Sequence, residues 1–178
     1  MEFSFKKLKI SDLILISKKS YHDQRGFFFE NYKESVFNQN GINTKFVQDN
    51  ISFSTKHVLR GLHYQTKPKE QAKLVSVIHG EIFDVAVDIR RNSSTYGEWV
   101  GEILSQSNQK SLYVPEGFAH GFCVLSDTAT VLYKVSNEYS PENEQGIIWN
   151  DPKVSVDWSI QNPIVSEKDQ KLPTLNTI

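Results

Sequence analysis

The stretch VLRGLHYQ (Val58–Gln65) places an arginine and a histidine three residues apart around a glycine. Imidazole is the side chain whose ordinary pKa lies nearest neutrality, which suits it to taking and returning protons. A guanidinium presents a planar fork that fits phosphate oxygens. The neighbours Val58, Leu59, Leu62 and Tyr64 read as a half-buried strand. In a regular strand an odd separation sends two side chains to opposite faces. A bulge or kink at Gly61 would shift that parity and turn Arg60 and His63 toward one pocket. A second histidine ends the segment PEGFAH (Pro115–His120), whose P-x-G-x-x-H spacing sets a tight turn before a strand and aims His120 from that strand's start. Taken alone, His120 is equally well read as a core imidazole satisfied by a backbone group.

The elements that must carry these residues are strands. In IFDVAVDI (Ile82–Ile89), Phe83, Val85, Val87 and Ile89 alternate with Ile82, Asp84, Ala86 and Asp88, the period-two pattern of a strand with unlike faces. The same reading fits Lys45–Ser54, Val58–Gln65, Lys73–Gly80, two strands around a turn at Pro115–Gly117, and Ala129–Tyr139. Turn signals fall at His22–Gly26, Asn38–Gly41, Arg90–Gly97, Ser105–Gln109 and Ser140–Gly146. Many short strands with regular punctuation predict an all-β sandwich or barrel. Helical signals are confined to Tyr32–Asn38 and a capped turn at Ser166–Lys171.

Bulk composition bounds the partners. The 178 residues, 38% apolar, suit one domain over residues 1–178. Twenty Lys and Arg against 21 Asp and Glu give a net charge of −1, so no general positive field draws the chain to nucleic acid or acidic lipid, and an anionic ligand must meet local cations. Cys123 is the single cysteine and has no internal disulfide partner. The apolar run Leu13–Ile16, between Asp12 and Lys18, is too short for a signal peptide or a membrane span. The expectation is a soluble cytoplasmic protein.

The P-x-G-x-x-H pattern resembles the second signature motif of the cupin superfamily, which implies a double-stranded β-helix, or jelly roll, with a few short helices. Metal-binding cupins place an H-x-H pair and a glutamate in their first motif, with a glycine seven residues beyond that acid. Counting back from Gly80 lands on Lys73, and Tyr64 and Gln65 follow His63, so neither the acid nor the histidine pair is present. A divalent ion would meet at most two imidazoles beside an ammonium. The expectation is a cupin without a metal.

Eight segments in order, DQRGFFFE (Asp23–Glu30), FVQDNISFS (Phe46–Ser54), VLRGLHYQ, Ala72–Arg90, Val114–Phe122, LYK (Leu132–Lys134), Tyr139–Pro152 and SEKD (Ser166–Asp169), resemble the dTDP-4-dehydrorhamnose 3,5-epimerase family over nearly the whole chain. That resemblance implies a dTDP-4-keto-6-deoxyhexose substrate inverted at C3 and C5, no metal or organic cofactor, a place in dTDP-L-rhamnose and cell-surface polysaccharide synthesis, and a homodimer that exchanges N-terminal strands. The run Leu13–Ile16 fits such a contact or an internal strand equally.

A ketone at C4 acidifies the hydrogens on C3 and C5, because the resulting anion is delocalised onto the carbonyl oxygen. The chemistry needs a base on one face, a cation for the oxyanion, and an acid on the other face. By resemblance, His63 is the base and Asp169 holds its ring; Lys73 steadies the oxyanion; Tyr133 is the acid. Read without the family, Asp169 is a helix-start residue, Lys73 a strand-edge lysine and Tyr133 a packing aromatic, although Lys73 shares strand parity with Val75 and Val77. The resemblance also assigns substrate contacts to Arg25, Glu30, Gln48, Asp49, Asn50, Arg60, His120, Glu144 and Lys168, and a stack on thymine to Tyr139. Three alternatives stand beside this reading: a relative inverting only C3 or only C5, a metal-dependent cupin, and a sugar-nucleotide binding module without turnover.

Overall fold

A computed structural model describes residues 2–178. Its strands are β1 (Phe3–Lys7), β2 (Ile14–Lys18), β3 (Tyr21–Asp23), β4 (Gly26–Phe28), β5 (Gln48–Thr55), β6 (Val58–Gln65), β7 (Lys73–His79), β8 (Glu81–Asp88), β9 (Trp99–Ser105), β10 (Ser111–Val114), β11 (Phe118–Val124), β12 (Thr128–Val135), β13 (Glu144–Gly146) and β14 (Ile164–Val165). One short helix, α1 (Glu34–Gln39), overlaps the predicted helical segment. A 3₁₀ turn at Asp169–Lys171 follows Ser166, whose Oγ accepts the Asp169 N–H at 3.1 Å, as the capped-turn reading predicts.

The strands form two sheets of the jelly-roll kind. The first runs β1-β2-β10-β7-β12-β5 and the second β13-β6-β11-β8-β9, with β14 added in parallel to β6. The interior between them is the central core: Val75, Val77, Leu112 and Val131 from the first sheet meet Ile82, Ala86, Leu104, Phe122 and Val124 from the second. Each sheet is also covered over part of its outer face. Phe37 of α1 packs with Ile14, Ile16, Ile42 and Leu74 on the first, and the C-terminal residues Ile147, Val154, Trp158 and Leu175 cover the second. This double cover explains β8. Phe83, Val85 and Val87 face the C-terminal cover, whereas Ile82, Asp84 and Ala86 face the interior, so Asp84 is buried rather than solvated.

Leu13–Ile16 is buried, and Ile14–Ile16 belong to β2, which lies within this chain between β1 and β10. Ser140–Gly146 is not all turn: Glu144–Gly146 pairs with His63–Gln65 of β6, a partnership some 80 residues away in the chain that no local signal announces. Hairpin β3–β4 brackets the predicted His22–Gly26 turn, joins neither sheet and is exposed throughout. No helix among the described residues is long and apolar enough to cross a membrane.

Candidate active site

The site grows from an irregularity in β6. Arg60 lies opposite Phe122 of β11 while His63 lies opposite His120, so three steps along β6 span two along β11. That is a β-bulge, and it puts Arg60 and His63 on the same face. Gly61 makes it possible. Its φ is +123°, and a Cβ there would stand 2.6 Å from the Gly121 Cα. The Gly61 N–H donates to Asp169 Oδ2 at 3.2 Å, and Asp169 Oδ1 stands 2.8 Å from His63 Nε2. One buried carboxylate thus ties the bulge to the imidazole. Burial raises its pKa, but the hydrogen bond and charge of His63 and the Gly61 N–H outweigh this and hold it below the usual carboxylate range. With Asp169 accepting from Nε2–H, Nδ1 is the nitrogen left to act as a base.

Lys73 opens β7 on the face of Val75 and Val77 and is only 8% exposed. Its Nζ donates to the His63 carbonyl at 3.2 Å. Burial lowers its pKa to about 8, against the opposing pull of the Asp84 and Glu144 carboxylates. Tyr133, on β12 of the other sheet, is partly buried, and burial raises its phenol pKa. His63 and Tyr133 therefore stand on opposite walls of the interior.

Two lobes of about 320 and 550 Å³ open here and share His63, Lys73, Tyr133 and Glu144. The smaller is lined also by Gln48, Asn50 and Tyr139; the larger by Arg60, His120, Lys168 and Asp169. Arg60 is braced by Ser54 Oγ at 3.0 Å and the Phe53 carbonyl at 3.3 Å. Glu144 accepts from the Tyr139 hydroxyl at 2.7 Å and from the Lys168 ammonium, which joins these three residues at the rim. Burial raises the Glu144 pKa, but those two donors and the charges of Lys168 and His63 bring it below its ordinary value. Tyr139 is 52% exposed, so one ring face is open for stacking.

Three predicted site residues are not brought into this cavity by the chain. Asp49 alternates with Gln48 and Asn50 along β5, so it points to the other face, where it pairs with Lys134 at 2.8 Å. Arg25 sits in the β3–β4 hairpin, forked onto Asp23. Glu30 follows that hairpin and stands 3.9 Å from Lys33. Sequence reasoning misses four residues of the site: Ser52, Gln65, Gln71 and, beneath His120, Asp84. Ser52 shares the parity of Gln48 and Asn50, a signal present in the alternation. Among the described residues, no three His, Cys, Asp or Glu side chains gather as metal ligands.

The chain is similar to known proteins over nearly its whole length. Residues 7–177 match the sequence profile of dTDP-4-dehydrorhamnose 3,5-epimerase. The dTDP-4-dehydrorhamnose 3,5-epimerase of Shigella flexneri is 52% identical over 164 residues, covering 92% of this chain and 91% of its own. That of Methanothermobacter thermautotrophicus is 51% identical over 172 residues, covering 95% and 92%. The crystal structure of dTDP-6-deoxy-D-glucose-3,5-epimerase from Legionella pneumophila, in complex with dTDP-4-keto-L-rhamnose, superposes with a TM-score of 0.96 at 46% identity, covering 99% of this chain and 95% of that one. The chain belongs to the dTDP-4-dehydrorhamnose 3,5-epimerase family.

Proposed function

We propose that this chain, as one cupin-like domain over residues 1–178, inverts C3 and C5 of dTDP-4-dehydro-6-deoxy-D-glucose to give dTDP-4-dehydro-L-rhamnose. One observation carries the reading: an imidazole held by a buried carboxylate and a phenol stand on opposite walls of one cavity, with a buried ammonium between the sheets beside them. Inversion at carbon needs removal and return of a proton on opposite faces.

On this reading His63 Nδ1 takes the proton from C3 or C5. The electron pair of the broken C–H bond passes to the C4 oxygen, and the Lys73 ammonium stabilises the enolate. The Tyr133 hydroxyl then delivers its proton to the opposite face of the carbon. The imidazolium and phenolate left behind exchange protons with water, which resets both groups for the second centre. Lys73 supplies the positive charge that the enolate oxygen needs. Tyr139 offers its open face to the thymine, and Arg60 and Lys168 meet the diphosphate. The enzyme works in the cytoplasm, on a soluble sugar nucleotide.

The test is His63→Asn. Loss of a general base lowers turnover by about 10²–10⁴-fold, and solvent deuterium incorporation at C3 and C5 should fall with it while dTDP binding persists. An unchanged exchange rate in the variant sinks the assignment.

The homodimer belongs to this proposal. Arg25 and Glu30 lie outside the chain's own cavity, in and after an exposed hairpin that carries Phe27 and Phe28 at 49% and 63% exposure. They serve a substrate only from a neighbouring copy. Mixing Arg25→Ala with His63→Asn subunits should rebuild one intact site in each mixed dimer, about a quarter of full activity after random exchange. No recovery on mixing removes the shared site.

A further inference from the structure

A second histidine–aspartate pair stands beside the first. His120 is directly opposite His63 in the β6–β11 register, so the two rings project from the same face of the second sheet. His120 Nε2 is 2.8 Å from Asp84 Oδ1. Asp84 is 0% exposed, on the interior face of β8 between Ile82 and Ala86 of the central core. Its other oxygen, Oδ2, is buried without a hydrogen-bond partner among the described residues. Packing gives no reason for a carboxylate here. A half-satisfied buried acid destabilises a fold, and an aliphatic side chain of similar volume would not. The carboxylate supports the charge of Lys73 against burial and, through its hydrogen bond, decides which nitrogen of His120 carries the proton.

We propose that Asp84 is a positioning residue for the epimerisation: it holds His120 with its proton on Nε2, so that Nδ1 stays a bare acceptor for a hydroxyl of the 4-keto sugar. This rests on the function proposed above. The lobe around His120 supports it by what its other groups already do. Its carboxylates are engaged, Glu144 by the Tyr139 hydroxyl and the Lys168 ammonium, and Asp169 by His63 and the Gly61 N–H. Lys73, Arg60 and Tyr133 offer N–H and O–H groups, so a sugar hydroxyl that donates beside them is served by a neutral ring nitrogen. Asp84 therefore occupies a core position for the sake of the ligand.

The experiment reads the tautomer and the kinetics separately. Nitrogen chemical shifts of labelled histidine in the unmodified protein at neutral pH should show His120 protonated on Nε2 and bare on Nδ1. In Asp84→Leu the buried Nε2–H loses its acceptor and the proton should move to Nδ1. Km for the 4-keto sugar nucleotide should then rise about tenfold, the worth of one hydrogen bond, with kcat within about threefold. Loss of Asp84 lowers the Lys73 pKa further below its wild-type value of about 8, so the two proteins are compared in the low-pH range where each rate no longer changes with pH. A purely structural role would lower the active fraction and leave Km unchanged. A wild-type His120 with a proton on Nδ1, in the neutral or the charged ring, overturns the proposal even if the leucine variant does not fold. So does a folded variant with wild-type Km. An unmodified protein that leaves both sugar centres uninverted overturns the function itself, an outcome separate from either of these.

Discussion

The interior between the two sheets has two ends built by different rules. Near the turn that joins β7 to β8, the inward positions are Val77, Ile82, Leu104, Val124, Ala129 and Val131, all buried and all apolar. A few residues along the same strands, those positions become Lys73, Asp84, His120 and Tyr133. The first end contributes burial, roughly 25 cal/mol for each Å² of apolar surface removed from water. The second brings charged and polar groups into the same low-dielectric space, where each must find a partner or lose stability. The active cavity is held open by strands whose other halves are closed tight. Stability and chemistry are divided along the strand axis, and the two ends should answer differently to substitution.

The closed end should show the largest loss of stability. Leu104 is fully buried in the central core. Leu104→Ala removes three carbons and leaves a cavity, which costs about 2–5 kcal/mol of folding free energy. Denaturant unfolding should register this while Km and kcat per folded molecule stay at wild-type values. A changed Km would mean that the two ends are mechanically coupled and that the division fails.

The open end should answer with the opposite sign. Lys73 has its pKa lowered by burial from 10.5 to about 8. Below pH 8 the folded chain must carry a buried ammonium, whereas the unfolded chain carries the same charge in water. Between about pH 8 and 10.5 the unfolded state binds more protons, so stability from this group rises with pH through that window and its penalty is fully present below it. Lys73→Met removes the penalty. It should stabilise the protein at pH 7 by roughly 3 kcal/mol, the free energy of moving the ammonium's proton equilibrium from 10.5 down to about 8. On the proposed mechanism the same variant should lower kcat by about 10²–10³-fold, because the cation assigned to the oxyanion is lost. The wild-type rate should also fall as pH rises above about 8, where the ammonium is lost. A methionine variant that unfolds more easily than wild type would show that Lys73 holds the structure together, and the proposed trade between ends would be wrong.

What the sequence can reveal follows the reach of its signals. Alternation locates β5, β6, β7, β8, β11 and β12 to within a few residues because sidedness is a local property with period two. The bulge is foreseeable because Gly61 interrupts an otherwise regular run that carries an arginine and a histidine at odd separation. The partner of His63 is not foreseeable that way. Asp169 is 106 residues distant, and only resemblance to a family joins them. Glu144 reads as part of a turn for a similar reason: Ser140, Pro141, Asn143 and Gly146 around it are turn-forming residues, but β6 has an open edge and recruits Glu144–Gly146 as β13. Asp84 is visible as a member of one face of β8, yet nothing local says whether that face meets water or a second sheet.

Asp49 makes the smallest and sharpest test of the same division. Resemblance places Gln48, Asp49 and Asn50 together, but consecutive strand residues cannot share a face. Gln48 and Asn50 line the cavity and are joined by a 2.7 Å hydrogen bond, while Asp49 meets Lys134 across the outer surface. With its carboxylate 53% exposed, that ion pair is screened by water, and exposed pairs contribute about 0–1 kcal/mol. Asp49→Ala should therefore leave Km and kcat unchanged and shift stability by less than about 1 kcal/mol. Asn50→Ala, one residue along, should raise Km. If the aspartate variant instead loses substrate affinity, the outer face of β5 takes part in binding, and the cavity described above is only part of the site.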